Sequence, residues 1–281
     1  NQTNSALRGV QDRVSTGFKV IGAKDNASSF AIAQGIRADI KATSAVQQGL
    51  NQGKGVASVA IAGATQISDL LGDVKAKIIE GLNPANTTAQ QSILNTDYTG
   101  LVAQVLNYVQ KAEFNGQNIL ESGGAALGVI ADVDGGALTI RAQDLEGTAY
   151  SQLNAQTLAS TTAASAALTQ VNVVITTVSV ALGQLGADNR GLDLQENFLG
   201  SISDALTEGL SAIVDADLAQ ESARLQALQV KQQQQQQRVV PQQWRPPPQV
   251  HHGHHHSFLA NSNEERAMRA TIVNQMGPQH C

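Results

Sequence analysis

Apolar residues recur along most of this chain at helical spacing. Leu7, Val10, Val14 and Phe18 step by 3, 4 and 4, one stripe of a helix, which Gly17 and Gly22 then interrupt. Asp25 and Asn26 are placed to cap a following helix that carries Phe30, Ile32 and Ile36. From about 42 to 80 the pattern is helical again, with Ile67, Leu70, Leu71, Val74 and Ile78 on one face, until Gly81-Leu82-Asn83-Pro84 stops it. A further helix is predicted from about 87 to 113, striped by Tyr98, Leu101, Val105, Tyr108 and Ala112, and ended by a turn at Phe114-Asn115-Gly116.

Residues 127 to 142 alternate around Asp134-Gly135-Gly136, which predicts a β-hairpin. Leu168, Val171, Ile175, Val178, Leu182 and Leu185 then form a heptad seam. Its β-branched residues leave a strand as the alternative on propensity alone; length and the seam favour helix. A break is expected over Gly186 to Gly191, after which Leu199, Ile202, Leu206, Leu210 and Ile213 resume a stripe that continues through Leu218, Leu225 and Leu228. Composition changes at Lys231: Gln232 to Gln237, Pro241, Pro246-Pro247-Pro248 and the histidines follow, a stretch too poor in apolar surface to order itself. The expected architecture is mainly α, an elongated helical-bundle rod with one small β-hairpin and a disordered C-terminal tail. Its segments are 1–40 (N-terminal helix and turn), 41–116 (rod helices), 117–165 (short variable region), 166–231 (C-terminal rod helices) and 232–281 (tail).

Aromatics make up only 3% of the chain, so Ala, Leu, Val and Ile must supply the core, which suits thin, closely packed helices. A net charge of −5 offers no basic field for nucleic acid or anionic membrane. With Cys281 the single cysteine, no internal disulfide and no cysteine-based metal site can form. No uninterrupted apolar run is long enough for a membrane span, and no secretory leader opens the chain, so neither membrane insertion nor a cleaved signal is expected. The absence of an initiator Met reads as a processed or truncated start.

Candidate chemistry is sparse. Asp215 and Asp217, two apart on a helix, would point about 200° from each other and could not share an acid–base site. Asp132 and Asp134 suit a hairpin turn. The glycines from Gly49 to Gly55 lack the strand–loop–helix setting of a phosphate loop. Histidine is confined to the tail, at His251, His252, His254, His255, His256 and His280, so no Ser-His-Asp set exists in the rod. The tract can take up added Ni, Cu or Zn, yet a catalytic metal needs fixed geometry and a second shell. An affinity-type or non-native end explains it better than a biological metal role. No cofactor and no enzymatic activity are expected.

Four motifs occur in order over residues 1–233. Ser15-Thr16-Gly17 precedes Gly22-Ala23-Lys24-Asp25-Asn26-Ala27-Ser28-Ser29-Phe30-Ala31-Ile32-Ala33; Phe114-Asn115-Gly116 follows; then Asp188-Asn189-Arg190; then Asp215 and Asp217 within Ile213 to Glu221. This set resembles bacterial flagellins, the subunits of the flagellar filament, of the alphaproteobacterial type. The resemblance implies a structural subunit that self-assembles for motility, with Lys24, Asp25, Asn26, Asn115, Asn189, Arg190, Asp215 and Asp217 as candidate subunit contacts. It implies partners in other flagellin subunits, the flagellar export apparatus, an export chaperone, and hook-associated and cap proteins. It places the protein in the extracellular flagellum, exported without a cleaved signal peptide. The family's extreme N-terminal segment is missing ahead of Asn1, and the tail replaces its C-terminal one, so this form is expected to be a monomeric rod that polymerises poorly. A surface- or glycan-binding module working through residues 117 to 165, or a hook–filament junction protein, is the alternative. In Leu71 to Glu80, Asp73 stands where flagellins sensed by the flagellin-specific Toll-like receptor carry an arginine. A carboxylate cannot replace guanidinium donors, which implies evasion of that receptor.

Overall fold

The computed structural model describes residues 2–22, 24–216 and 218–239. The histidine tract, Trp244, the proline run, Cys281 and Asp217 lie outside the described residues, so the expectations placed on them have no structural counterpart here. Residues 1–229 form one compact unit, and a second begins at Val230, of which only the end of a helix is described.

The elements in order are α1 (Gln2–Thr16), α2 (Ala27–Gly81), α3 (Thr88–Lys111), β1 (Leu127–Ile130), β2 (Ala137–Ile140), a π-helical turn at Glu146–Tyr150 running into α4 (Ser151–Asn154), α5 (Thr161–Val214) and α6 (Leu218–Val239). At 55 and 54 residues, α2 and α5 are each about 80 Å long. They run antiparallel along one another: the ends Gly81 and Ala164 touch, and Lys54 Nζ meets Glu196 Oε2 at 2.5 Å and Asp193 Oδ1 at 2.7 Å.

Their contact is a coiled-coil seam. On α2 the buried positions Val46, Leu50, Gly53, Ala57, Ala60, Ala64, Ile67, Leu71, Val74, Ile78 and Gly81 alternate steps of 4 and 3 throughout. On α5, Ala164, Ala167, Val171, Val174, Val178, Ala181, Leu185, Leu192 and Leu199 keep the same heptad. Small residues recur on both seams, Ala57, Ala60 and Ala64 on α2 and Ala164, Ala167 and Ala181 on α5, and they let the two helices approach closely.

Four expectations need correction. α2 is one helix, not two, because its seam supplies burial from Thr43 to Gly81 without a gap. α1 ends at Thr16, so Phe18 leaves the helical stripe and stands 43% exposed in an isolated bridge to Asp215. The break over Gly186 to Gly191 does not occur. Each helical glycine costs about 1 kcal/mol, while Leu185 and Leu192 on either side are fully buried on α2 and hold the helix through. Finally, α6 carries on through Gln232 to Gln237, where composition predicted disorder; glutamine is a good helix former and extends the helix already begun at Leu218. Windows of α2 and α5 also reach mean hydropathies of 1.2 and 1.6, the range of membrane-spanning helices, although neither contains one unbroken apolar run.

α3 packs on α2 from another side. A capping box opens it: Thr87 Oγ1 accepts from Gln90 N–H, and the Gln90 side chain accepts from Thr87 N–H. Its buried face is Tyr98, Val102, Val105, Val109 and Ala112, with Leu101 and Tyr108 half-buried at its edge. The hairpin forms as predicted, antiparallel with Leu127 opposite Ile140 and Val129 opposite Leu138. Asp132 Oδ1 accepts from Asp134 N–H and Gly136 N–H to shape its turn.

Tyr98 is the largest fully buried side chain among the described residues, and its hydroxyl donates to the Leu153 carbonyl at 2.6 Å. Burial pushes its pKa from 10.0 up to about 12. A pKa raised by folding favours the protonated fold, so the stabilisation is complete below pH 10 and is lost as pH rises through about 12. Tyr98→Phe should cost about 1–2 kcal/mol at neutral pH and flatten the fall in stability across that alkaline window. Urea unfolding at stepped pH reads both.

Candidate functional site

The two sequence segments that carry the flagellin motifs meet in space. After α1 the chain breaks between Thr16 and Asn26, and after α5 it breaks at Asp215, and these breaks lie side by side. The amides of Lys19 and Val20 donate to the Val214 carbonyl, and Ala216 N–H donates to the Gly17 carbonyl at 2.9 Å. Val20, Ala33 and Val214 bury a small core beneath this junction, with Phe30, Leu210 and Ile213 against it. On the other side of the break, Arg13 of α1 and Glu221 of α6 form an ion pair at 3.2 Å.

Within the junction, Asp25 and Asn26 have local structural work. Asp25 Oδ2 accepts from the amides of Ile21 at 2.9 Å and Gly22 at 3.0 Å, which folds the turn back on itself. Asn26 is the N-cap of α2 and accepts from Ser29 N–H at 3.1 Å, as its sequence position predicts. Lys24 is exposed in the same turn. Asp215 does not sit on a helix: it is the extended residue that ends α5, so the geometry assumed for an Asp215–Asp217 pair does not apply, and Asp217 lies outside the described residues.

The Phe114-Asn115-Gly116 motif forms a tight turn. Phe114 and Gln117 exchange both backbone hydrogen bonds at 3.0 Å, and Asn115 (φ 50°) and Gly116 (φ 75°) are both left-handed, the combination in which Asn-Gly carries little steric cost. Beside this turn, α2 and β1 border a solvent-open cavity of about 330 Å³, lined among others by Gly53, Val56, Asn115 and Val129. Asn118, which sequence reasoning missed, locks the turn to α3. Its Nδ2 donates to the Val109 carbonyl at 2.8 Å, and its Oδ1 accepts from Leu120 N–H at 2.9 Å. Its one legible signal was an amide side chain two residues after a turn glycine.

Asn189 and Arg190 stand mid-helix on α5, not at the end of a loop. Arg190 is exposed, whereas Asn189 Oδ1 is buried without a hydrogen-bond partner. The neighbouring Asp188, also missed as a site, is the residue with a clear task. Its carboxylate accepts from Arg141 Nε and Nη2 and from Arg141 N–H, and this fastens the end of the hairpin to α5. Asp188 raises the Arg141 pKa through that hydrogen bond and its charge. Asp73 is exposed on α2. Among the described residues no three His, Cys, Asp or Glu side chains gather as a metal site would require.

Comparison with known proteins identifies this arrangement. The "Bacterial flagellin N-terminal helical region" matches residues 1–124 and the "Bacterial flagellin C-terminal helical region" matches residues 168–243. Flagellin FljO of Caulobacter vibrioides is 38% identical over 235 residues, covering 83% of this chain and 85% of that protein. A flagellin of Brucella melitensis is 32% identical, with 82% and 85% covered. Among solved structures, a Bacillus cereus flagellin aligns with a TM-score of 0.50 at 18% identity, over 54% of this chain and 88% of that one. A putative flagellar hook-associated protein from Vibrio parahaemolyticus aligns at 0.59 and 14% identity, over 68% and 100%. With both terminal regions matched and most of its length shared with curated relatives, the chain belongs to the bacterial flagellin family, of the alphaproteobacterial type, and is a structural subunit of the flagellar filament rather than an enzyme.

Proposed function

We propose that this chain serves motility as a filament subunit that leaves the cell through the flagellar export apparatus, escorted by an export chaperone and without a cleaved signal peptide. In the filament it packs against further copies of itself, with hook-associated and cap proteins at the ends. The observation that carries this reading is the α2–α5 pair. Two helices of about 80 Å, zipped along a continuous heptad seam, give a stiff beam, and stiffness is what a propeller subunit must supply.

In this reading Lys24 and Arg190, both exposed, are subunit contacts; Asp25, Asn26 and Asp215 act indirectly by shaping the junction that carries Lys24, and Asn115 by shaping the turn after α3. Expression in an alphaproteobacterium stripped of its own flagellins tests it: surface filaments by electron microscopy and restored swimming are expected. Secreted monomer with neither filaments nor motility would contradict it. Asp73, exposed where a guanidinium would be needed, leaves receptor recognition weak. Purified protein should activate the flagellin-specific Toll-like receptor poorly in reporter cells, and potent activation would refute that assignment.

A further inference from the structure

From Thr161 to Ala187 the sequence of α5 contains no Asp, Glu, Lys, Arg or His. This is about 40 Å of helix, and it is not a buried one. Its hydropathy window reaches 1.6, the higher of the two such windows among the described residues, yet only 28% of that window is buried. Val173 and Val180, one heptad apart, are each 53% exposed. Around them the surface is Ser165, Thr169, Asn172, Thr176 and Ser179. Solvent-facing helices ordinarily carry charged residues on the outer face; this one carries none.

The face is also cheap to dehydrate. Thr169, Thr176, Thr177 and Ser179 each donate their hydroxyl to the carbonyl four residues back in the same helix, at 2.8–3.3 Å. Burying them strands no donor. Val, Thr, Ser and Asn also have few rotamers to lose on contact compared with Lys, Arg or Glu.

A second surface of the same kind exists on α3, whose 24 residues are close in length to that uncharged stretch. Between Thr88 and Gln110 its one charged residue is Asp97, which is taken up by Lys77 at 3.6 Å. Ile93 stands 63% exposed there. α2 packs along both α3 and α5, which have little direct contact with each other, so the two faces cannot meet within one molecule.

We propose that the uncharged outer face of α5, Thr161 to Ala187, docks a second copy of this chain through that copy's α3 face around Ile93. The docking face presupposes the filament-subunit reading above and gives it a surface. Three observations favour a copy of the chain as occupant. A charged partner would find nothing to pair with. The two neutral faces match in length and character. A strip about 40 Å long and 10 Å wide buries about 400 Å² per partner, about 800 Å² in total, below the roughly 1,200–2,000 Å² total of a stable isolated pair. Such a contact holds only when repeated. Joining two different faces is heterologous, so it propagates as an open chain instead of closing as a dimer.

Val180→Asp and Ile93→Asp test both faces on the full chain. Assembly is followed by light scattering and sedimentation onto sheared filament seeds. Each substitution places a carboxylate on an already exposed position, so circular dichroism and melting temperature should match the parent. Each should raise the critical concentration by about tenfold or more, the effect of burying an unpaired charge, whereas Val180→Thr should leave it near the parent value. Parent assembly that neither Asp variant impairs overturns the surface assignment alone. Particles that stop growing at two copies overturn the heterologous pairing. Flotation of the parent with anionic or neutral lipid vesicles, abolished by Val180→Asp, would mean that the face meets a membrane and not a second copy. A parent chain that never associates with seeds sinks the filament reading and the docking face with it.

Discussion

Ile78→Ala should lower the stability of the helical unit by about 2–5 kcal/mol, the range for truncating a large aliphatic side chain in a rigid core, whereas Ile79→Ala, one residue on, should change it by less than about 0.5 kcal/mol. Ile78 is wholly buried on the α2 seam, and Ile79 is 52% exposed. The cost at Ile78 should fall toward the upper half of the range because the partner residues on α5 near this level, Ala164 and Ala167, are too small to swing into the space left behind. Urea unfolding followed at 222 nm measures both variants. Equal effects at the two positions would mean that α2 does not present a single heptad face to α5.

Two glycines on the same helix should respond to the same substitution with opposite sign. Gly72 is exposed, with nothing within 4 Å of the place a methyl group would take, so Gly72→Ala should stabilise by about 0.5–1 kcal/mol through helix propensity and a less mobile unfolded chain. At Gly63 the same methyl would lie 2.8 Å from the Ala112 Cβ and 3.2 Å from Leu120 Cδ1. The Ala112 Cβ is fixed to its backbone and cannot turn aside, so α3 would have to back away from α2. Overpacking of this kind costs about 1–3 kcal/mol and should outweigh the propensity gain. Thermal unfolding of the two variants side by side reads the difference. Stabilisation at both sites would show that α3 does not approach α2 this closely.

Helix existence was legible because it depends on local spacing. Ile67, Leu71, Val74 and Ile78 were placed on one face from sequence and are all buried. The hairpin was legible because Asp134-Gly135-Gly136 leaves the chain little other choice. What escaped was the phase and the continuity of the seam. Sequence reading follows large side chains, so it put Leu168, Ile175 and Leu182 on the α5 seam, where the fold uses Ala164, Ala167, Val174 and Ala181 and leaves the larger three half-buried at its flank. Alanine gives no signal as a core residue until its partner across the interface is known. Continuity was missed for a similar reason. Glycine clusters suggest breaks by their propensity, but Gly186 and Gly191 stay helical because buried leucines on both sides outweigh that cost. The true break at Asp215 carries no strong turn residue; it is set by backbone pairing with Gly17 and Lys19, nearly two hundred residues earlier in the chain. Of the candidate contact residues, Asn26 was legible in role as well as position, since capping is local. Asp188, which is not among those candidates, was not legible, because its partner Arg141 lies 47 residues away.

Seeded polymerisation, viewed by negative-stain electron microscopy, tests most directly the claim that this chain is a filament subunit. Purified chain is added to short, sheared flagellin filaments in ammonium sulfate, and filament lengths are measured before and after. Without seeds little polymerisation is expected; growth of the added seeds into longer helical filaments, with this chain recovered in the pellet, is the predicted result. Seeds of unchanged length, with the chain left entirely in the supernatant at every concentration, would contradict it.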